Sequence, residues 1–140
     1  MPQTETTTLH RVNYSEVDAM GVAYHGNYIV WLDVARTEHI RTGGMSYAEM
    51  ERRGFRLVVG ELSIRYLAPA RYDDEVRVCC WVGELGSRRV LFRYRVERVS
   101  DGERLAAAST AMFVLSESMR PTRLPAEILT LLRPIPAPAE

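Results

Sequence analysis

From Tyr28 onward, Tyr28, Trp31, Leu32, Ala35 and His39 recur at intervals of three and four residues. Ile29 and Val34 widen the apolar stripe, and Asp33, Thr37 and Arg41 lie opposite it. That spacing predicts a largely buried helix. Asn27 suits the N-cap, Arg41 complements the negative C-terminal end, and Gly43-Gly44 tolerates the left-handed stop. A second, short helix is expected over Ser46–Arg53, with Ser46 as cap, Glu49 three residues on and Gly54 after it.

The period then drops to two. Leu62, Ile64 and Tyr66 alternate with Glu61, Ser63 and Arg65, and the same rhythm returns at Val76, Val78, Cys80 and Val82 and at Val90, Phe92, Tyr94 and Val96. These are antiparallel strands in prospect. Leu105–Leu115 reads as the last strand, entered by an Asp101-Gly102 turn, with Ala106, Ala107 and Ala108 small enough for a bulky neighbour. Leu9–Tyr14 reads as the first strand, after a Thr-rich start expected to fray. The order of strand, long helix, short helix and four strands predicts an α+β unit: a strongly curved antiparallel β-sheet around one helix. A single domain over 1–140 is expected, with its core at about 9–115. The C-terminal extension 116–140 carries a short helix at Glu127–Leu132 and an extended Pro134–Pro138 segment.

Composition narrows the function. The 18 basic and 18 acidic residues balance, so no basic field draws nucleic acid. Every basic residue is Arg, which excludes a Schiff-base lysine. Cys79 and Cys80 are adjacent in a strand-like run, so their side chains diverge and they read as packed thiols rather than a disulfide or metal site. No apolar run reaches the ~20 residues that span a bilayer, and the first residues lack the basic and apolar segments of a leader; a cytoplasmic protein is expected.

The densest chemistry lies between Tyr14 and Tyr28, where Asp18 stands just upstream of the long helix. A helix start presents unpaired N–H groups and partial positive charge, which can polarise a carbonyl or hold an oxyanion, while a nearby carboxylate attacks or activates water. That pairing suits acyl transfer. Gly21 and Gly26 would let substrate approach the backbone, and Val22, Ala23 and Trp31 would line an acyl pocket.

The segment Tyr14–Glu38, through Asp18, Gly21, Val22, Tyr24, His25, Asn27, Tyr28, Ala35, Arg36 and Glu38, resembles the signature of the 4-hydroxybenzoyl-CoA thioesterase family. Tyr66-Leu-Ala-Pro69-Ala-Arg71-Tyr72-Asp73-Asp74-Glu75 resembles that family's strand-end turn. The resemblance implies the hot-dog fold, with its sheet wrapped around a long central helix. It also implies dimers joined sheet edge to sheet edge and doubled to homotetramers, with active sites at the subunit interface. The substrate implied is an acyl-CoA, hydrolysed without metal or organic cofactor. Asp18 would be nucleophile or general base, and the His25 backbone N–H would polarise the thioester carbonyl. Gly21, Val22, Tyr24, Asn27 and Trp31 are the expected substrate contacts nearby. Arg88 and Arg89 resemble the basic pair with which some members hold the nucleotide, although Gly86-Ser87 stands where their cluster is longer.

Alternatives stay open at this level. The His25 imidazole could orient Asp18 or water in place of the amide role. Asp33 and Glu38 compete for the carboxylate role, because other branches of the superfamily place it on the central helix. His10 and His39 read as surface or packed residues, with no metal-ligand spacing. No serine-hydrolase elbow, His-Glu-x-x-His or phosphate loop occurs. A non-catalytic acyl-CoA-binding module and a narrower hydroxybenzoyl- or dihydroxynaphthoyl-CoA thioesterase are the rival functions.

Overall fold

The stripe of period 3.6 folds as helix α1, Asn27–Thr42, whose Tyr28, Trp31, Leu32, Ala35, His39 and Ile40 are buried. The computed structural model describes residues 5–132. Around α1 stand strands β1 (Thr6–Arg11), β2 (Phe55–Tyr66), β3 (Glu75–Leu85), β4 (Arg89–Arg98) and β5 (Arg104–Ser116). A 3₁₀ turn at Tyr14–Glu16 and helices α2 (Tyr47–Arg52) and α3 (Ala126–Leu129) complete the order. All strand pairs are antiparallel, in the order β1-β3-β4-β5-β2, so β1 and β2 are the edges.

The alternating positions face the helix as expected. Val76, Val78, Cys80 and Val82 of β3 and Val90, Phe92, Tyr94 and Val96 of β4 form one buried core with α1, each large side chain contributing about 1.5–3 kcal/mol. This is the hot-dog arrangement. Leu124, Ile128 and Leu132, from the segment expected to be an extension, are buried in the same core. The Pro134–Pro138 stretch lies outside the described residues.

The sheet can wrap the helix because its ladders slip at bulges between Val59 and Glu61, Val82 and Glu84, and Val96 and Glu97. Bulges bend a strand and sharpen its twist. A Cβ at Gly60 would sit 1.9 Å from the Phe113 ring, so only glycine lets that ring cross β2. This bulge also explains why the expected strand stops short. Phe55, Leu57 and Val59 belong to the same strand as Leu62, Ile64 and Tyr66, but the extra residue shifts the alternation by one.

Two further expectations are corrected. The first strand begins at Thr6 and ends at Arg11, because the Thr-rich start pairs with β3 and Tyr14 has entered the 3₁₀ turn. Asn27 does not cap α1. Gly26 already has helical angles (φ −66°, ψ −24°), so the cap falls one residue earlier and carries no side-chain bond. The Asn27 amide instead donates to the Glu16 carbonyl at 2.7 Å. Ser46 does cap α2, accepting from the Glu49 N–H at 3.1 Å.

Glu16 ties the loop before α1 to the rest of the protein. Its carboxylate accepts from the Asn13 N–H and the Trp31 indole N–H, each at 2.9 Å, and lies 2.7 Å from His10 Nε2. Burial pushes this carboxyl up, but those hydrogen bonds outweigh it and hold the group below its ordinary value. Farther along α1, His39 is buried, with Nδ1 2.7 Å from the Thr6 hydroxyl, and burial lowers its pKa from 6.5 to about 4.

Acid should therefore weaken the fold in two separable steps. Folded His39 resists protonation, so its share, about 3 kcal/mol, is complete above pH 6.5 and is lost as pH falls toward 4. The Glu16 share is complete above 4.5 and is lost only below it. In thermal unfolding followed from pH 7 to 3, His39→Gln should remove the upper step; an unchanged upper step would assign it to another group. Glu16→Gln, which sets an amide donor among donors, should lower stability at pH 7 by about 1–3 kcal/mol in urea unfolding.

Candidate active site

The loop from Val17 to Gly26 is a tight hairpin pinned at both ends. The Asp18 N–H donates to the Val22 carbonyl, and the Gly21 N–H returns to the Asp18 carbonyl, each at 2.9 Å. Gly21 holds φ +80°, the left-handed region where a side chain is strained. Bridges at Val17–Ala23 and Val22–Arg71 then sew the loop to itself and to the segment after β2, with the Ala23 N–H donating to the Ala70 carbonyl at 2.8 Å. Asp18 thus sits part-buried on a backbone that cannot easily turn away. Its Oδ1 accepts from the Met20 N–H at 2.9 Å, while Oδ2 has no partner among the described residues.

At the helix start, the donors divide. The Tyr24 N–H is spent on the Glu16 carbonyl (2.8 Å), and from Asn27 onward the amides bond within the chain. The N–H groups of His25 and Gly26 have no partner among the described residues. They occupy the positive end of α1, where an anion or developing oxyanion is stabilised.

Asp18 and His25 line one cleft of about 330 Å³, together with Met20, Val22, Tyr28 and Tyr66. Asp18 and His25 thus share a cleft, with Val22 and Ala23 also in its wall. The cleft's other side comes from 66–69, the second motif, to which the sequence assigned no site role. Tyr66 donates to the His25 carbonyl at 2.8 Å, and Tyr28 presents its ring edge-on to Tyr66 at 5.1 Å. Single-sequence patterns carry no signal for that pairing, because it depends on where β2 ends.

Other expected contacts fall elsewhere. Trp31 is only 3 % exposed and its indole is committed to Glu16, so it supports the loop from beneath and is not a pocket wall. Tyr24 stacks on the His25 ring at 4.3 Å outside the cleft lining, and the Asn27 amide is occupied by Glu16. Gly21 shapes the turn without lining the cleft. Asp33 is held by the largely buried Arg36, which also donates to the Tyr94 hydroxyl, and Glu38 by Arg41 on the helix surface. Arg88 and Arg89 border a different pocket of about 620 Å³ with Phe113, Leu115 and Pro121, and Arg89 pairs with Glu84 at 3.3 Å.

Among the described residues no group of three or more His, Cys, Asp or Glu is placed to hold a metal ion. No described helix is long and apolar enough to cross a membrane. Cys79 and Cys80 are buried free thiols.

Comparison with known proteins gives the lineage. The chain is 33 % identical to the acyl-CoA thioesterase YbgC of Haemophilus influenzae, over 84 % of its own length and 87 % of that protein's. Its fold superposes on a hypothetical protein of Thermus thermophilus with a TM-score of 0.85 at 39 % identity, covering 92 % of this chain and 95 % of that one. It likewise superposes on a DHNA-CoA thioesterase of Staphylococcus aureus with a TM-score of 0.81 at 34 % identity, covering 86 % and 80 %. The family model of the thioesterase superfamily matches residues 20–105, beginning two positions after Asp18 and taking in the helix start and both sides of the cleft. With a hot-dog sheet, Asp18 and His25 in one cleft, and that match over more than half its length, the chain belongs to the thioesterase superfamily.

Proposed function

We propose that the cleft hydrolyses acyl-CoA thioesters to a carboxylic acid and free coenzyme A, with Asp18 as the reacting carboxylate and the His25 N–H as oxyanion donor. Thioester hydrolysis itself rests on the family and on relatives named acyl-CoA thioesterase. The residue roles rest on one observation: Asp18, with one oxygen unpartnered among the described residues, and His25, whose helix-start N–H is likewise unpartnered among them, line the same cleft.

A thioester carbonyl is already activated, so the protein has to supply a base or nucleophile and a fixed donor for the oxyanion. As a base, Asp18 takes a proton from water, whose oxygen attacks the carbonyl carbon. The C–S bond then breaks, and the proton passes to the departing thiolate. As a nucleophile, Asp18 forms a mixed anhydride and releases the thiolate, which takes its proton from solvent; water then cleaves the anhydride and restores the carboxylate. Both routes put negative charge on the carbonyl oxygen, where the His25 N–H meets it.

The working unit in this reading is a dimer. Strand β2 is an edge of the sheet among the described residues; its own Val59 and Leu62 stay exposed, as do Ile29, Val30 and Val34 on α1. A face of that kind marks an interface. Arg88 and Arg89 lie near the Val58–Phe113 pairing, eight residues along β2 from Tyr66 and so about 26 Å from it. Within one protomer that is the far end of the sheet. Antiparallel pairing of β2 with its copy reverses the ends and sets the partner's arginine pair beside this cleft, where it would meet the coenzyme's phosphates.

Asp18→Asn preserves shape and removes basicity. In a thiol-release assay over short, long, branched and aromatic acyl-CoAs it should fold normally and lose at least ~100-fold in turnover; wild-type turnover would remove Asp18 from the reaction. Aromatic preference within the panel would favour the hydroxybenzoyl or dihydroxynaphthoyl type, and binding without turnover by the wild type would mark a non-catalytic module. Arg88→Ala should raise KM for acyl-CoA and leave acyl-pantetheine unaffected. Subunit exchange between the Asp18→Asn and Arg88→Ala chains should restore a low-KM fraction; if it restores none, the arginine does not serve across the interface.

A further inference from the structure

The mechanism depends on where the His25 N–H points, and that amide has no hydrogen-bond partner among the described residues. Its direction is set by the peptide group it belongs to, whose Tyr24 carbonyl accepts from the Asn27 N–H at 2.9 Å, and by the peptide groups before and after that one. On one side, the Tyr24 N–H is fixed to the Glu16 carbonyl at 2.8 Å, and the Glu16 side chain is itself locked to Asn13 and Trp31. On the other side, the His25 carbonyl accepts two bonds. The helical one, from the Tyr28 N–H, is long at 3.3 Å. The short one, at 2.8 Å, comes from the Tyr66 hydroxyl.

We propose that Tyr66 is a positioning residue for thioester hydrolysis: its hydroxyl clamps the His25 carbonyl and thereby aims the His25 N–H at the substrate oxygen. The inference rests on the cleft reading given above. Tyr66 suits the task because it belongs to the sheet. It pairs with Ala106 of β5 at the end of β2, and its ring is braced edge-on by Tyr28 at 5.1 Å and by the His25 ring at 6.2 Å. A phenol on a braced strand moves less than a water molecule would, so the bond transfers the sheet's rigidity to the loop. Preorganised donors lower the barrier because they need no reorientation as charge develops. Polarising the carbonyl also strengthens the dipole of the helix start.

Geometry separates this role from substrate binding. The hydroxyl is spent on the backbone, and the ring supplies the cleft wall. Removing the oxygen alone leaves the wall intact.

The experiment is Tyr66→Phe, measured beside wild type and Asp18→Asn with the best acyl-CoA from the substrate panel. Tyr66→Phe should lower kcat about tenfold, less than the 100- to 1000-fold that follows loss of an oxyanion donor outright. KM should stay within about twofold, and the thermal midpoint should barely move, because the bond lies at the exposed end of β2. A purely structural tyrosine would shift the midpoint and leave kcat per folded enzyme unchanged; a substrate contact would raise KM. Either result overturns the proposal while Asp18→Asn remains inactive. Wild-type turnover in Asp18→Asn would instead overturn the cleft reading, and this inference with it.

Discussion

One helix has to be buried lengthwise in the hollow of a single five-stranded sheet, and most of the molecule follows from that requirement. A flat sheet could touch α1 along only one line. The slips at Gly60, at Gly83 and between Val96 and Glu97 bend the ladders until β3 and β4 enclose Leu32, Ala35 and Ile40. The chain pays for its curvature in glycine, at the position where Phe113 crosses β2. Once α1 is seated, its first turn is fixed relative to the ends of β2 and β1. The loop that joins β1 to the helix then has little freedom.

The hydrogen bonding of that loop explains which donor stays available. A helix start carries several unpaired N–H groups, and most chains cap or hydrate them. Here the Glu16 carbonyl takes the Tyr24 N–H, and the Glu16 carboxylate is held by donors from Asn13 and Trp31. His25 is the first residue beyond reach of these acceptors. The same turn spends one oxygen of Asp18 on the Met20 N–H and leaves the other open. Among the described residues, the His25 N–H and one Asp18 oxygen stay without a partner while the Tyr24 N–H beside them is committed.

Much of this was legible in the sequence, and the failures share a cause. Period 3.6 found α1 and period 2 found β3 and β4, since burial on one face repeats with the geometry of the element. That Asp18 and His25 lie close enough to line one cleft was also readable, because both fall within eight residues. What escaped was nonlocal or broke the period. Gly60 shifts the phase of β2 and hid the half that begins at Phe55. Asn27 carries the side chain of a good cap, yet the cap falls on Gly26 and a carbonyl eleven residues upstream claims the Asn27 side-chain amide. Trp31 resembled a pocket wall because an apolar helix position near a site could be either; the bond from its indole to Glu16 decides it. Tyr66 stood in the second motif, but its contact with His25 spans 41 residues.

The unpaired edge of β2 carries a further consequence on the proposed dimer reading. A two-fold axis through an antiparallel edge exchanges the ends of the strand, so whatever lies beside Phe55 in one copy becomes the neighbour of Tyr66 in the other. The Arg88–Arg89 pair and the Asp18–His25 cleft occupy those opposite ends. Nucleotide recognition and bond breaking would then be encoded far apart in one fold and joined only by assembly. Changes around Phe113 and Arg88 could alter which thioester carrier is held without touching the hydrogen bonds that aim the His25 N–H. The loop before α1, where the Asp18, Gly21, Ala23 and Tyr24 N–H groups are all tied to backbone carbonyls, tolerates far less. Such a division lets one scaffold vary its substrates while keeping one way of opposing a carboxylate to a fixed amide.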